Sequence, residues 1–226
     1  TDLGLSIAMK INFPLLALAV GAFAIGTTEF SPMGFLPEIA NDLSVSIPQA
    51  GLLISAYAVG VMIGAPLMTL WLARFPKKTA LILLMAIFTI GNVLATVAPD
   101  YMSLMGARLI TSLNHGAFFG LGSVVAASVV PKDKQASAVA MMFMGLTIAN
   151  IGGVPLATWL SQNTSWRMAF AAISILGIMT MLALWKALPQ DHDVVKPNVA
   201  KELRVLTRAP VVLALLTTVM SAGAMF

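Results

Sequence analysis

Long apolar runs alternate with short polar breaks along this chain. The runs cover residues 12–35, 49–72, 79–97, 101–130, 136–160 and 166–188, and a further run begins at 210 and continues to 226. A helix rising ~1.5 Å per residue needs roughly 20 apolar residues to cross a bilayer. Each of the first six runs therefore predicts a spanning α-helix. The breaks between them are short, but residues 189–209 form a long polar stretch with Asp191, His192, Asp193, Lys196, Lys201, Glu202, Arg204 and Arg208. The pattern divides the chain into an N-terminal segment 1–11, a six-helix bundle 12–188, a linker 189–209 and the start of a seventh helix at 210–226. Met9 and Lys10 read as a natural start, with residues 1–8 an upstream extension. The first run is too long for a signal-peptide core and ends at no clear small-residue cleavage site, so it reads as a retained helix.

Composition supports the membrane assignment. Apolar residues make up 59% of the chain and charged residues 10%, against roughly 45–50% and 25% in soluble domains. The absence of cysteine excludes disulfides, thiolate metal sites and cysteine nucleophiles. The net charge of +4 would suit an acidic partner, but its distribution gives another reason. With the loops numbered alternately, one side holds Lys10, Arg74, Lys77, Lys78, Lys132, Lys134, Lys186, Lys196, Lys201, Arg204 and Arg208. The other holds Arg167 with Glu38, Asp42 and Asp100. Basic residues collect on the cytoplasmic side of membrane proteins. The N-terminus and the 189–209 linker are therefore expected in the cytoplasm, and no nucleic-acid role is expected.

An internal repeat is visible. Residues 62–72 align without gaps to 150–160, matching Ile63 with Ile151, Gly64 with Gly152, Trp71 with Trp159 and Leu72 with Leu160, and a proline follows the glycine in both (Pro66 and Pro155). The second run points inward and the fifth outward, so the repeat is inverted. Three-plus-three inverted repeats build the six-helix halves of major-facilitator transporters. Six helices, a charged linker and another helix is the layout of one such half joined to the next, so the chain reads as an N-terminal half that stops inside its seventh segment.

Charge is nearly absent from the interiors of the apolar runs, Arg167 and Lys186 lying only at the ends of the sixth; the exceptions are Glu29 in the first and Arg108 in the fourth. A charge at mid-membrane costs at least ~2.5–3.5 kcal/mol on insertion scales, so such residues face the bundle interior, pair or titrate. Glu29 precedes Phe35 by six residues and Arg108 follows Tyr101 by seven, which puts both ~10 Å from the outer surface. Three readings follow: a structural ion pair between the first and fourth helices, a Glu29 that exchanges protons or meets substrate, or two side chains that snorkel outward. His115 lies nearly two turns below Arg108 on the same face. It could bond substrate or relay protons, or simply bond a neighbouring helix. Asn114 and Asn150 are polar at mid-depth, a position more often packing glue than ligand. Gly116 and Gly120 form a small-xxx-small pattern for close helix approach. Gly152, Gly153 and Pro155 predict a bent or flexible point in the fifth helix, and Gly26 and Pro32 bracket Glu29 similarly. The four tryptophans fall near helix ends, as interface anchors do. No phosphate-cradling loop, metal cluster or catalytic set is apparent, so ATP drive and enzymatic chemistry are not expected.

Residues 26–40, which include Glu29, closely resemble the first helix of the drug:proton antiporter branch of the major facilitator superfamily, nearest to sugar-efflux and arabinose-efflux type permeases. Arg108 and Leu109 with residues 115–120 resemble the fourth-helix motif of that group. Residues 145–155 with Trp159 and Leu160 resemble its fifth-helix antiporter motif, and the likeness covers residues 9–226. In the loop between the second and third helices the family carries glycine, aspartate and glycine where this chain has Thr69, Ala73 and Pro76, keeping only Arg74, Lys77 and Lys78. The family's charge relay through that aspartate is therefore not expected here. Ser112 stands for a fourth-helix glycine, and Ala157 and Thr158 for a glycine pair in the fifth.

The resemblance implies an all-α membrane protein: a six-helix N-terminal bundle plus the start of a seventh helix. It also implies a secondary active transporter that exports small organic molecules, drug-like or sugar-like, across the bacterial inner membrane. A proton gradient rather than a cofactor would drive it. The helix 1 and helix 4 residues would line a cavity closed by the protein's own C-terminal half. The alternatives are a facilitator or importer of the same fold, and a membrane receptor or scaffold.

Overall fold

The computed structural model describes residues 12–190 and 209–225. Six stretches of helix in it are long and apolar enough to cross a membrane. The first span is α1 (Phe13–Gly34), followed by a short helix, α2 (Leu36–Asp42). The second and third are α3 (Ile47–Leu72) and α4 (Lys77–Thr96). The fourth is α5 (Tyr101–Ser112) continued by α6 (His115–Ser128). The fifth joins a 3₁₀ turn at Lys132–Lys134, α7 (Gln135–Ile148), a π-helical turn at Ala149–Gly153 and α8 (Val154–Asn163). The sixth is α9 (Trp166–Ala187), and α10 covers Ala209–Met225. The chain is thus an all-helical, multi-pass membrane protein. The segments 1–11 and 191–208, which hold the N-terminus and most of the linker, lie outside the described residues.

Four spans begin where the sequence supplies a polar cap. The side chains of Asn12, Ser46, Asp100 and Ser165 accept from the backbone N–H of Leu15, Gln49, Ser103 and Met168, satisfying donors that a helix start leaves without partners. At the end that holds the Ser46, Asp100 and Ser165 caps, the Asp42 carboxylate accepts from the Trp166 indole at 3.0 Å and pairs with Arg167, which also donates to the Ala98 carbonyl at 2.9 Å. The hydrogen bond from Arg167, followed by that from Trp166, holds the Asp42 carboxyl below the ordinary carboxylate range. Trp166 is buried under this clamp and packs edge-on against Phe170. It is therefore a core residue and not the interface anchor expected of it; Trp71, Trp159 and Trp185 are exposed.

The spans pack as α4 on α9, α1 on α7, α1 on α9, α4 on α5, and α3 on α5 and α6. Close approach depends on particular glycines. A Cβ on Gly145 would overlap the backbone carbonyl of Ala19, and one on Gly64 would come to 2.8 Å from the Leu113 Cα. A Cβ on Gly116 would overlap the Ala65 side chain, as its small-residue pattern predicts. Gly120 departs from that expectation: nothing lies within 4 Å of the place a Cβ would take, because its face of α6 is exposed. The predicted bend in the fifth span is the π-helical turn, with Pro155 in the first turn of α8. Gly153 packs on Thr27, while Gly152 faces open space.

Candidate functional site

The polar centre of the bundle starts from a proline. Pro32 inside α1 has no N–H, so the Thr28 carbonyl loses its helical partner. Arg108 fills the gap: its Nη1 donates to the Thr28 carbonyl at 3.0 Å and to the Thr28 hydroxyl at 3.3 Å. That hydroxyl donates onward to Asn92 Oδ1 at 2.7 Å, and the Asn92 amide is held by the Phe88 carbonyl. One arginine thereby ties α5 to α1 and, through Thr28, to α4. The guanidinium is buried and lies over the Tyr57 ring, 4.2 Å from its centroid, with Phe170 5.8 Å away. Its Nε and Nη2 have no hydrogen-bond partner among the described residues.

Glu29 does not reach that arginine. Among the described residues the pair expected between Glu29 and Arg108 is absent as a direct ion pair; Glu29 Oε2 instead lies 3.8 Å from His115 Nε2. Both side chains keep partial access, 25% for Glu29 and 15% for His115, so the carboxylate is poised between the buried cluster and an opening. Glu29 and Arg108 share one depth by residue count, but depth does not fix where each points around its helix axis. Leu113 and Asn114, where the fourth span passes from α5 to α6, keep right-handed helical dihedrals.

His115 is held on both sides. Its Nδ1 lies 3.2 Å from the Tyr57 hydroxyl. Its ring stands 5.1 Å from Phe119, which stacks on Phe143 of α7 at 5.1 Å. Tyr57, Thr28 and Asn92 are the members that the sequence reading missed. A tyrosine buried mid-span carries a hydroxyl that needs a partner, and that was the available signal for Tyr57. Asn114 is buried where α5 meets α6, donating to the Thr111 carbonyl at 2.5 Å, and its Oδ1 has no partner among the described residues. Asn150 is exposed and bonds its own helix at the Leu146 carbonyl. The loop residues lie far from this cluster: Arg74 donates to the Trp71 carbonyl, Lys78 donates to the Leu188 carbonyl at 2.7 Å, and Lys77 sits in the first turn of α4.

A six-span helical bundle with an acid, a base and a histidine drawn into its interior is the architecture of a membrane transporter domain. The chain belongs to the Major Facilitator Superfamily, whose sequence profile matches residues 18–226. It is 68% identical to the inner membrane transport protein YdhP of Escherichia coli (strain K12), over 96% of this chain and 56% of that protein. It is 32% identical to a chloramphenicol resistance protein of Streptomyces lividans, over 85% and 49% of the two chains. A probable sugar efflux transporter of Pasteurella multocida is 31% identical over 77% and 43%. The chain thus spans about half the length of the curated relatives it matches. Among solved structures, the peptide transporter POT in complex with sulfate superposes with a TM-score of 0.71 at 13% identity, covering 94% of this chain and 47% of that one, which shows the shared fold. Family and relatives are transporters, not enzymes.

Proposed function

We propose that this chain is the proton-handling half of an efflux transporter that exchanges protons for small organic molecules, drug-like or sugar-like, across a bacterial inner membrane. The observation that carries the reading is the contact of the Glu29 carboxylate with His115 beside the buried, stacked Arg108. A carboxylate at that place is expensive in hydrocarbon unless its charge is used. Glu29 would take a proton from the outer side, lose its attraction to His115, and give the proton up on the inner side as substrate leaves. The relatives named for chloramphenicol resistance and sugar efflux support export over import. The N-terminus and the 189–209 linker would lie in the cytoplasm. A second bundle would close the cavity, and the proton gradient would replace any cofactor.

Glu29→Gln tests the reading in the full-length protein reconstituted in vesicles, with chloramphenicol and a set of small sugars as probes. The amide is nearly isosteric and leaves the fold intact. Export driven by an imposed proton gradient should fall at least about tenfold, a loss of ~1.4 kcal/mol of coupling, while counterflow exchange without a gradient persists. Gradient-driven export equal to the parent's would remove Glu29 from proton coupling and leave a facilitator as the better description.

A further inference from the structure

The proposed function uses Glu29 but leaves open what makes its contact with His115 depend on protonation. The geometry points to Tyr57, a residue of α3, as the positioning residue that locks His115 in the tautomer carrying its proton on Nε2, so that the ionised form of Glu29 is held more strongly than the protonated form. This inference rests on the proton-coupling reading above and supplies its switch.

Tyr57 is buried, 3% exposed, and the acceptor that the structure gives its O–H among the described residues is His115 Nδ1 at 3.2 Å. If the tyrosine oxygen accepted instead, its own O–H would be buried without a partner, at a cost of roughly 1–3 kcal/mol. Tyr57 therefore donates, Nδ1 accepts, and the neutral imidazole carries its hydrogen on Nε2. Nε2 is the atom that faces Glu29 Oε2 at 3.8 Å.

The consequence is an asymmetry between the two states of Glu29. An ionised carboxylate is attracted by the Nε2–H. A protonated one offers that hydrogen only a neutral carbonyl oxygen, and its own O–H finds no acceptor on His115, because Nε2 is occupied by hydrogen and Nδ1 by Tyr57. Proton uptake at Glu29 therefore weakens the contact; proton release strengthens it. Without the tyrosine hydroxyl the imidazole could move its hydrogen to Nδ1 and accept from the protonated acid, and the difference between the two states would shrink. The proton balance is simple: one proton arrives on and leaves from Glu29, and His115 keeps one throughout.

Tyr57 is itself held. Arg108 lies over its ring at 4.2 Å, a cation–π contact that fixes the ring plane, and the Tyr57 and His115 rings meet edge to face at 5.9 Å. The titratable and charged groups facing His115 are Glu29 from α1, Tyr57 from α3 and Arg108 from α5. Neighbouring α7 contributes only the Phe143 ring, stacked on Phe119, and carries no titratable residue.

The test is solid-state NMR of the full-length protein in lipid vesicles with ¹⁵N-labelled histidine, His115 being assigned by the signals lost in His115→Gln. In the parent the His115 nitrogens should show one neutral tautomer, hydrogen on Nε2 and none on Nδ1. Tyr57→Phe keeps the ring and its contact with Arg108 and removes only the hydroxyl; it should yield a mixture with a substantial fraction protonated on Nδ1. The same Nε2–H tautomer in both proteins would overturn the inference, as would an Nδ1–H tautomer in the parent. This readout needs no substrate and no export. Failure of the proton-coupling reading would show separately, in a Glu29→Gln protein that exports normally.

Discussion

At the scale of single residues, the physics that makes Glu29 and Arg108 conspicuous in sequence also separates them in structure. Both were legible because a charge in an apolar run is costly, and their shared depth followed from counting residues. Their partners were not legible, because facing depends on helix rotation and on a proline whose missing N–H offers the Thr28 carbonyl to Arg108. Arg108 contributes to stability through that carbonyl, the Thr28 hydroxyl and the Tyr57 face. Arg108→Ala should cost on the order of 2–4 kcal/mol, combining a desolvated cation–π contact with hydrogen bonds to a charged group. Thermal unfolding in detergent would measure it. Because Glu29 reaches Arg108 only through His115 and Tyr57, Glu29→Gln and Arg108→Ala should couple modestly, with an interaction energy of about 0.5–1 kcal/mol. A double variant more stable than Arg108→Ala alone by a larger margin would make the two side chains direct partners after all.

At the scale of elements, hydropathy located all six spans, and their ends agree with the capping residues to within a few positions. It could not show that the fourth span divides into α5 and α6 at Leu113 and Asn114, or that the polar stretch with Glu38 and Asp42 after the first run folds as α2, since hydropathy reports apolar content and not helix continuity. The glycine pattern was half legible, because spacing puts Gly116 and Gly120 on one face but does not say where the neighbouring helix ends. Gly116→Leu should reduce the folded yield severely, since the side chain must displace Ala65 on α3, whereas Gly120→Leu should fold like the parent. Size-exclusion profiles of the two purified variants check this; matching losses would show that both glycines meet a helix. The clamp between α2 and α9 gives a pH-dependent counterpart. Asp42 has a lowered pKa, so its bonds to Arg167 and Trp166 stabilise the fold above the carboxylate's unfolded value, and this contribution is lost as pH falls through the lower folded value. Asp42→Asn should therefore melt below the parent at pH 7 by under about 1 kcal/mol, the carboxylate being substantially exposed. The gap should close at strongly acid pH, and a gap that widens on acidification would remove Asp42 from the clamp.

At the scale of the molecule, the packing repeats what the sequence repeat announced. Exchanging the first three spans for the last three maps the contact of spans 1 and 5 onto that of 4 and 2, the contact of 1 and 6 onto 4 and 3, and the contact of 3 and 6 onto itself; each of these packings is present. The equivalence reaches single residues. The register that pairs Gly64 with Gly152 also pairs Ala65 with Gly153, and these two pack on Gly116 and Thr27 at corresponding places in spans 4 and 1. The same registers map the contact of Gly145 with Ala19 onto that of Tyr57 with Arg108. One half of the repeat closes two helices to backbone contact. The other inserts an aromatic ring and a guanidinium there, and the polar cluster occupies the space so opened. An even number of spans also returns the chain to its starting side. Asn12 donates to the Val129 carbonyl at 3.5 Å and Lys78 to the Leu188 carbonyl, gathering one set of ends; Asp42, Ala98 and Arg167 gather the other. The first set carries Arg74, Lys77, Lys78, Lys132, Lys134 and Lys186, so it should face the cytoplasm. The chain has no cysteine, and single cysteines placed at exposed positions can therefore report sidedness. In intact cells a membrane-impermeant maleimide should label Gln162→Cys and spare Asp133→Cys until the membrane is opened. Labelling of Asp133→Cys from outside would invert the topology, and with it the side from which Glu29 takes its proton.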